Sequence, residues 1–238
     1  MSTAVTTPAI GRARPVALVR TELRWLAGGL VLAFTVPFVF ADQLNMQRDV
    51  YYGIYAFAVG AFFVAWARTT ESSGVAFLTR NSKPALALTV VATAVMVAAA
   101  LREDATGRPG GLEFVGAVLW RGVVYGFTDG ILLSAFPILA VFAAFRPLRE
   151  RSRQAIAGIG AVALAASLLF TAVYHLGYSD FRSSKVAKPM AGDVVWSAPT
   201  LLTLNPLGAP VAHAGLHVSA VVHAYETDLF LPPHAEEG

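Results

Sequence analysis

The stretch AIAGIGAVALAASLLFTAVYHLGY, residues 155–178, contains no Asp, Glu, Lys or Arg and is rich in Ala and Leu. A helix needs about 20 such residues to cross the hydrocarbon core of a bilayer. Backbone N–H and C=O groups cannot remain unpaired in lipid, and a barrel strand would alternate in polarity, which this run does not. The stretch therefore predicts a membrane-spanning helix.

Apolar runs of the same kind recur along most of the chain. Hydrophobic residues make up 56% of the 238 residues and charged residues 14%, against about a quarter charged in a soluble domain. We therefore predict an all-α, polytopic transmembrane bundle of about 7–8 helices, some of them broken by Gly or Pro. The apolar runs are residues 25–41, 50–67, 84–101, 112–145, 155–178 and 194–225.

The chain is predicted to have one folded domain between two polar tails. Residues 1–24 form a polar tail that contains arginines, residues 25–225 form a single transmembrane helical domain, and residues 226–238 form a short acidic tail. The chain has no cysteine, which excludes disulfides, thiolate metal sites and a cysteine nucleophile. We expect the basic residues to contact the lipid bilayer rather than nucleic acid.

Two signals place the predicted membrane surfaces. Tyr51 and Tyr52 open the second run, where an interfacial belt of aromatic rings is expected. The bias of Lys and Arg predicts a cytoplasmic N-terminus in the plasma membrane, with Arg68, Arg80 and Lys83 on the same side.

The run at 112–145 is too long for one simple span and allows two interpretations. It forms either two helices joined by a tight turn at 126–130, or one broken helix that lines a cavity. An odd number of crossings would place the basic cluster at 146–153 in the cytoplasm, whereas two crossings would place the basic residues of 182–188 there. The sequence leaves both open. A second interruption is predicted at 205–210, within the last run.

Ionisable groups at membrane depth are costly and mark candidate functional sites. Arg121 lies well inside an apolar run, where it either acts in a site, pairs with Glu113 or Asp129, or extends to the interface. The candidate catalytic residues are Glu113, Arg121, His175, His213 and His217, and the candidates for a polar cavity are Asp129 and Asn205.

His213 and His217 occupy positions i and i+4, so they share one face of a helix. That spacing suits two imidazole ligands of one metal, which makes a divalent metal the candidate cofactor. The zincin motif would require Glu where Ala214 stands, and a bis-imidazole haem would require His175 to face this helix. The alternative is that both histidines only bond to neighbouring helices.

The order of these residues resembles the CPBP family, the intramembrane proteases of the CAAX prenyl endopeptidase and bacteriocin-processing type. That family has the motifs Glu-Glu-x-x-x-Arg, Phe-x-x-x-His and His-x-x-x-Asn or a similar polar residue. Arg121 would end the first motif, His175 the second, and His213 with His217 would form the third. The resemblance covers residues 112–225 and implies an endopeptidase core that acts on a membrane peptide or protein.

The chain departs from this pattern at the acidic motif. The two glutamates fall at Gly116 and Ala117, and Thr171 occupies the aromatic position of the second motif. Glu113, one turn before Ala117, and Asp129 are the acids that remain to replace them. Three hypotheses follow: a relative without peptidase chemistry, a hydrolase that uses one of these acids, or a non-enzymatic transporter-like, scaffold, metal-binding or haem-binding protein.

Overall fold

The computed structural model describes residues 15–70, 72–149 and 152–226. These residues form nine α-helices and no β-strand, which confirms the predicted all-α bundle. The helices are α1 (Pro15–Val36, continued by a π-helical segment Pro37–Gln43), α2 (Arg48–Thr69), α3 (Val75–Leu78), α4 (Ser82–Ala100), α5 (Gly111–Ala144), α6 (Arg146–Arg149), α7 (Arg153–Leu176), α8 (Ala187–Thr203) and α9 (Gly208–His223).

Five of the described helices are long and apolar enough to cross a membrane: α1 with its extension, α2, α4, α5 and α7. Helix α5 is the centre of the bundle, because most of its residues are buried, whereas only a minority of the residues in the other four helices are buried. The shorter helices α8 and α9 pack against α4 and against each other, and α9 also packs along α5. Exposed apolar side chains such as Phe57 and Leu86 form the surface that lipid covers.

The long apolar run at 112–145 forms one continuous helix. Neither Gly126–Gly130 nor Pro137 interrupts α5, so two helices joined by a tight turn are excluded. The helix instead adopts π-helical geometry at Val118–Tyr125 and Ile131–Ala135, where hydrogen bonds span one more residue than in an α-helix. The second π-helical segment ends two residues before Pro137, which has no N–H to donate.

A row of glycines at every fourth position of α5 faces α9. At Gly122, Gly126 and Gly130 an added Cβ would lie within 3.0 Å of backbone atoms of α9. The closest contact would be 2.5 Å, between the Cβ at Gly130 and the Cα of Pro210. Small residues allow the backbones of membrane helices to approach closely, and here they set the distance between α5 and α9.

The last apolar run folds into two helices, which confirms the predicted interruption. Leu204 ends α8 in the left-handed region, with φ 57°. The side-chain amide of Asn205 donates to the carbonyls of Leu78 and Arg80, and its side-chain oxygen accepts from the N–H of Leu207. These bonds fix the turn between α8 and α9 against the segment that precedes α4.

Helix α1 includes the last part of the predicted tail 1–24. Glu22, in this part, is 3% exposed and accepts a hydrogen bond of 2.9 Å from Nε1 of Trp66. This bond holds the start of α1 against the end of α2. The rest of that tail, residues 1–14, and residues 227–238 of the predicted acidic tail lie outside the described residues.

Because α5 crosses the bundle once, the ends of α2, α5 and α8 lie together with the starts of α4, α7 and α9. We call this side the arginine-rich end; its basic residues include Arg20, Arg68, Arg80, Lys83, Arg146 and Arg153. At the opposite end, Arg182 after α7 forms an ion pair of 2.9 Å with Asp42 at the end of α1. There the N–H of Thr106, before α5, donates to the carbonyl of His223 at the end of α9.

Candidate functional site

A cavity of about 330 Å³ lies between α4, α5, α7, α8 and α9 and reaches the end opposite the arginines. Glu103, Phe181 and Lys188 line its outer part, together with apolar side chains of α4 and α9. Polar side chains from three helices line its inner part: Tyr125, Asp129, Tyr174, His175, His213 and His217.

Asp129 and the two histidines of α9 form the polar centre of this cavity. The Nε2 atoms of His213 and His217 are 2.9 Å apart, and each lies 3.7 Å from Oδ2 of Asp129. All three side chains are buried, and one ligand atom from each lies within 4.8 Å of the others. A carboxylate of α5 and two imidazoles of α9 thus converge on one point.

The sequence spacing explains this convergence. His213 and His217 are one turn apart and therefore share a face of α9. Asp129 lies between Gly126 and Gly130, the glycines that bring α5 against that face. An added Cβ at Gly126 would lie 2.8 Å from the Cβ of His217. A larger residue at that position would move α9 away from the carboxylate.

Aromatic rings hold the two imidazoles in place. The histidine rings stack on each other, with centroids 4.8 Å apart and planes at 12°. Trp196 contacts His213 at 4.2 Å between centroids, and Tyr125 contacts the ring of His217 at 5.0 Å. In the described part of the chain the Nδ1 atoms of both histidines have no hydrogen-bond partner. The imidazoles are therefore oriented by packing, with Nε2 towards Asp129.

The Asp129 carboxylate is held by a tyrosine of α2. The hydroxyl of Tyr55 donates to Oδ1 of Asp129 at 2.5 Å, which leaves Oδ2 towards the histidines. Tyr51 and Tyr52, which precede it on the same helix, are 0% and 1% exposed. Both rings therefore pack in the core of the bundle and do not face lipid, and the predicted interfacial depth of these two positions stays a prediction.

A chain of hydrogen-bonded phenols continues from the cavity wall. The hydroxyls of Tyr125 and Tyr174 are 2.6 Å apart, that of Tyr178 donates to Tyr174 at 2.7 Å, and those of Tyr51 and Tyr178 are 2.6 Å apart. Periodic tyrosines at 51 and 55 and at 174 and 178 are the sequence signal that could have indicated this cluster, since each pair shares a helix face.

His175 is the third imidazole of the cavity. Its Nδ1 donates to the carbonyl of Thr171 at 2.7 Å, so its Nε2 is left as an acceptor. It lies in the last turn of α7, at the same end of the bundle as the mouth of the cavity. His175, His213 and His217 are thus the three predicted histidines that line one cavity with Asp129.

Another buried acid, Asp193 of α8, was not identified from the sequence. Its carboxylate accepts hydrogen bonds from the hydroxyls of Ser134 at 2.7 Å, Ser167 at 2.9 Å and Thr171 at 3.0 Å. Nε1 of Trp196 donates to the oxygen of Ser134 at 3.0 Å. Since the indole of Trp196 packs on His213, this network holds a side chain of the cavity wall in position.

Three predicted site residues lie elsewhere. Glu113 is exposed near the start of α5, and Asn205 lies in the turn at the arginine-rich end. Arg121 binds the carboxylate of Asp49 through Nε and Nη2, both at 2.8 Å. Its predicted pairing with Glu113 or Asp129 is therefore wrong, because α2 supplies the acid. This ion pair links α5 to the start of α2.

Comparisons with known proteins assign no family to the chain. No family model, no curated protein and no solved structure matches it. The candidate site therefore has to be interpreted from its own geometry and from the residues that form it.

Proposed function

We propose that this integral membrane protein is a hydrolase of the CPBP type, in which Asp129 activates water for cleavage of a peptide bond in a membrane peptide or protein. The observation that carries the proposal is the distance of 3.7 Å from Oδ2 of Asp129 to the Nε2 atoms of both His213 and His217. A general base must reach its proton directly or through one water, and groups at this separation can share a single water at about 2.8 Å from each.

The proposed reaction uses Asp129 as a proton acceptor and the two histidines as hydrogen-bond donors. Asp129 takes a proton from water as the water oxygen bonds to the carbonyl carbon of the substrate. A protonated Nε2 of His213 or His217 donates a hydrogen bond to the oxyanion that forms. The C–N bond then breaks, and the proton held by Asp129 passes to the leaving amine. Water is consumed, and a carboxylic acid and an amine are the products, which ionise to a carboxylate and an ammonium group once the acid transfers its proton.

The surroundings of the cavity support a substrate that comes from the membrane. Apolar side chains such as Met96 and Leu216 line the cavity together with the histidines, and Lys188 and Glu103 lie towards its mouth. An extended peptide would place its side chains on this apolar wall and its carbonyl at the polar centre.

We infer that the cavity opens on the non-cytoplasmic side of the plasma membrane. The single crossing of α5 places Arg146 and Arg153 at the same end as Arg68, Arg80 and Lys83. Clusters of basic residues favour the cytoplasmic side, and the start of α1 lies at this end as well. The mouth of the cavity lies at the opposite end.

The test is hydrolysis of labelled membrane peptides by the purified protein in lipid nanodiscs. Asp129→Asn is expected to lower the rate by a factor of about 10² to 10⁴, the usual contribution of a general base. Glu113→Gln, which neutralises the exposed acid of the same helix, is the matched control and is expected to retain the rate. An unchanged rate in Asp129→Asn contradicts the assignment, and a folded wild-type protein without hydrolysis favours the relative that lacks peptidase chemistry.

A second candidate function is divalent metal binding at the same three residues. Two imidazole nitrogens and one carboxylate oxygen that lie within 4.8 Å of one another match the ligand types and number of a zinc site with an open position. Elemental analysis of the protein purified without chelator tests it. The metal hypothesis predicts one zinc per chain, lost in His213→Ala, whereas the metal-free hydrolase predicts none.

A further inference from the structure

A second cavity, of about 410 Å³, lies at the arginine-rich end, between the loop that joins α2 to α3 and the last turns of α5. Its lining has no residue in common with that of the candidate site. The rim is polar and carries Ser72, Ser73, Arg80 and Arg146. The floor is apolar and consists of Ala76, Phe77, Leu139, Phe142, Ala143 and Leu204.

We propose that this cavity binds a phosphate group, carried by an anionic lipid or by a soluble phosphate compound. The planar guanidinium group donates two parallel hydrogen bonds to phosphate oxygens, and the serine hydroxyls add further donors. Among the described residues, no carboxylate lies within ion-pair distance of Arg80 or Arg146. Glu22 attracts Arg146 only at longer range, so neither guanidinium group forms a direct ion pair with a described acid.

The position of the cavity favours a lipid as the source of the phosphate. Arg146 lies two residues after the end of α5, and Arg80 lies two residues before the start of α4, so both lie where membrane helices end and headgroups begin. Basic pockets between helices at this depth suit anionic headgroups. The floor, which includes the apolar side chains of Phe77 and Leu139, can contact the apolar part of a lipid, a contact that inorganic phosphate would not make.

Native mass spectrometry of the purified protein with added phosphatidylglycerol measures this binding. The Arg80→Gln/Arg146→Gln variant is expected to bind about tenfold more weakly, as loss of charge-assisted hydrogen bonds predicts. The control Arg68→Gln/Arg153→Gln removes the same charge from the same end outside the cavity and is expected to bind as wild type does. If the first variant does not fold, the double variant Arg80→Lys/Arg146→Lys, which keeps both charges, replaces it. It is expected to bind more weakly than wild type, because lysine cannot donate two parallel hydrogen bonds to phosphate.

Two further arms identify the source of the phosphate. Phosphatidylcholine, with no net charge, is expected to bind more weakly than phosphatidylglycerol, and inorganic phosphate is expected not to displace the anionic lipid. Displacement by inorganic phosphate would support the site with a soluble ligand. The proposal would be overturned if the Arg80/Arg146 variants and the Arg68/Arg153 control lost lipid binding equally. It would also be overturned if both Arg80/Arg146 variants bound the lipid as wild type does.

Discussion

The buried carboxylate of Asp129 has a phenol as its hydrogen-bond donor, and the contribution of this donor can be measured. Tyr55→Phe keeps the ring and removes the bond of 2.5 Å to Oδ1. We expect the free energy of unfolding to fall by about 1.5–3 kcal/mol, the usual loss for a hydrogen bond to a charged group. Thermal unfolding in a single detergent measures the change. An unchanged midpoint would show that the carboxylate does not depend on this donor.

Asp193 is predicted to contribute strongly to the stability of the fold. Asp193→Ala leaves the hydroxyls of Ser134, Ser167 and Thr171 without their buried acceptor, so stability is expected to fall by at least about 2 kcal/mol. The matched control Asp180→Ala removes an exposed acid and is expected to stay within about 0.5 kcal/mol of wild type. Equal midpoints in the two variants would contradict this role.

At the residue scale, the sequence indicated the polar groups of the cavity but not their partners. Asp129, His175, His213 and His217 could be selected because each is an ionisable group in an apolar run. The phenol of Tyr55 and the carboxylate of Asp193 could not, because their burial depends on helices that are distant in sequence. The partner of Arg121 was missed for the same reason, since Asp49 comes from α2.

Between elements, the glycines of α5 control the position of the site. Gly126→Ala adds a Cβ at 2.9 Å from the Cα of Ala214, which forces α9 to shift, and overpacking of this kind costs about 1–3 kcal/mol. Gly116→Ala, in the same helix, meets nothing within 4 Å and is expected to be neutral or slightly stabilising. Thermal unfolding of both variants tests the difference. A loss of stability at Gly116 alone would contradict it.

The same glycines explain why the continuity of α5 was not predictable. In water, Gly126–Gly130 followed by Pro137 is a typical helix break. In lipid, an interrupted helix would leave backbone groups unpaired, so the helix persists and changes to π-helical geometry instead. Whether a glycine ends a membrane helix or packs against a neighbour depends on that neighbour, and the sequence of α5 does not contain this information.

For the whole molecule, the arrangement of the two ends predicts which loops face the cytoplasm. The chain has no cysteine, so single cysteines can be labelled without background. Ser184→Cys lies at the end of the bundle where the cavity opens, and it is expected to react with a membrane-impermeant maleimide in intact cells. Ser152→Cys, at the arginine-rich end, is expected to react only after permeabilisation. The reverse pattern would contradict the inferred orientation.

The convergence of Asp129, His213 and His217 is tested most directly by NMR of protein labelled with ¹⁵N-histidine, which needs no substrate. Asp129→Asn is expected to move the Nε2 resonances of His213 and His217 together and to leave that of His223 in place, because only the first two lie within 3.7 Å of the carboxylate. Glu113→Gln is expected to move none of them. Unchanged resonances of His213 and His217 in Asp129→Asn would contradict a shared site.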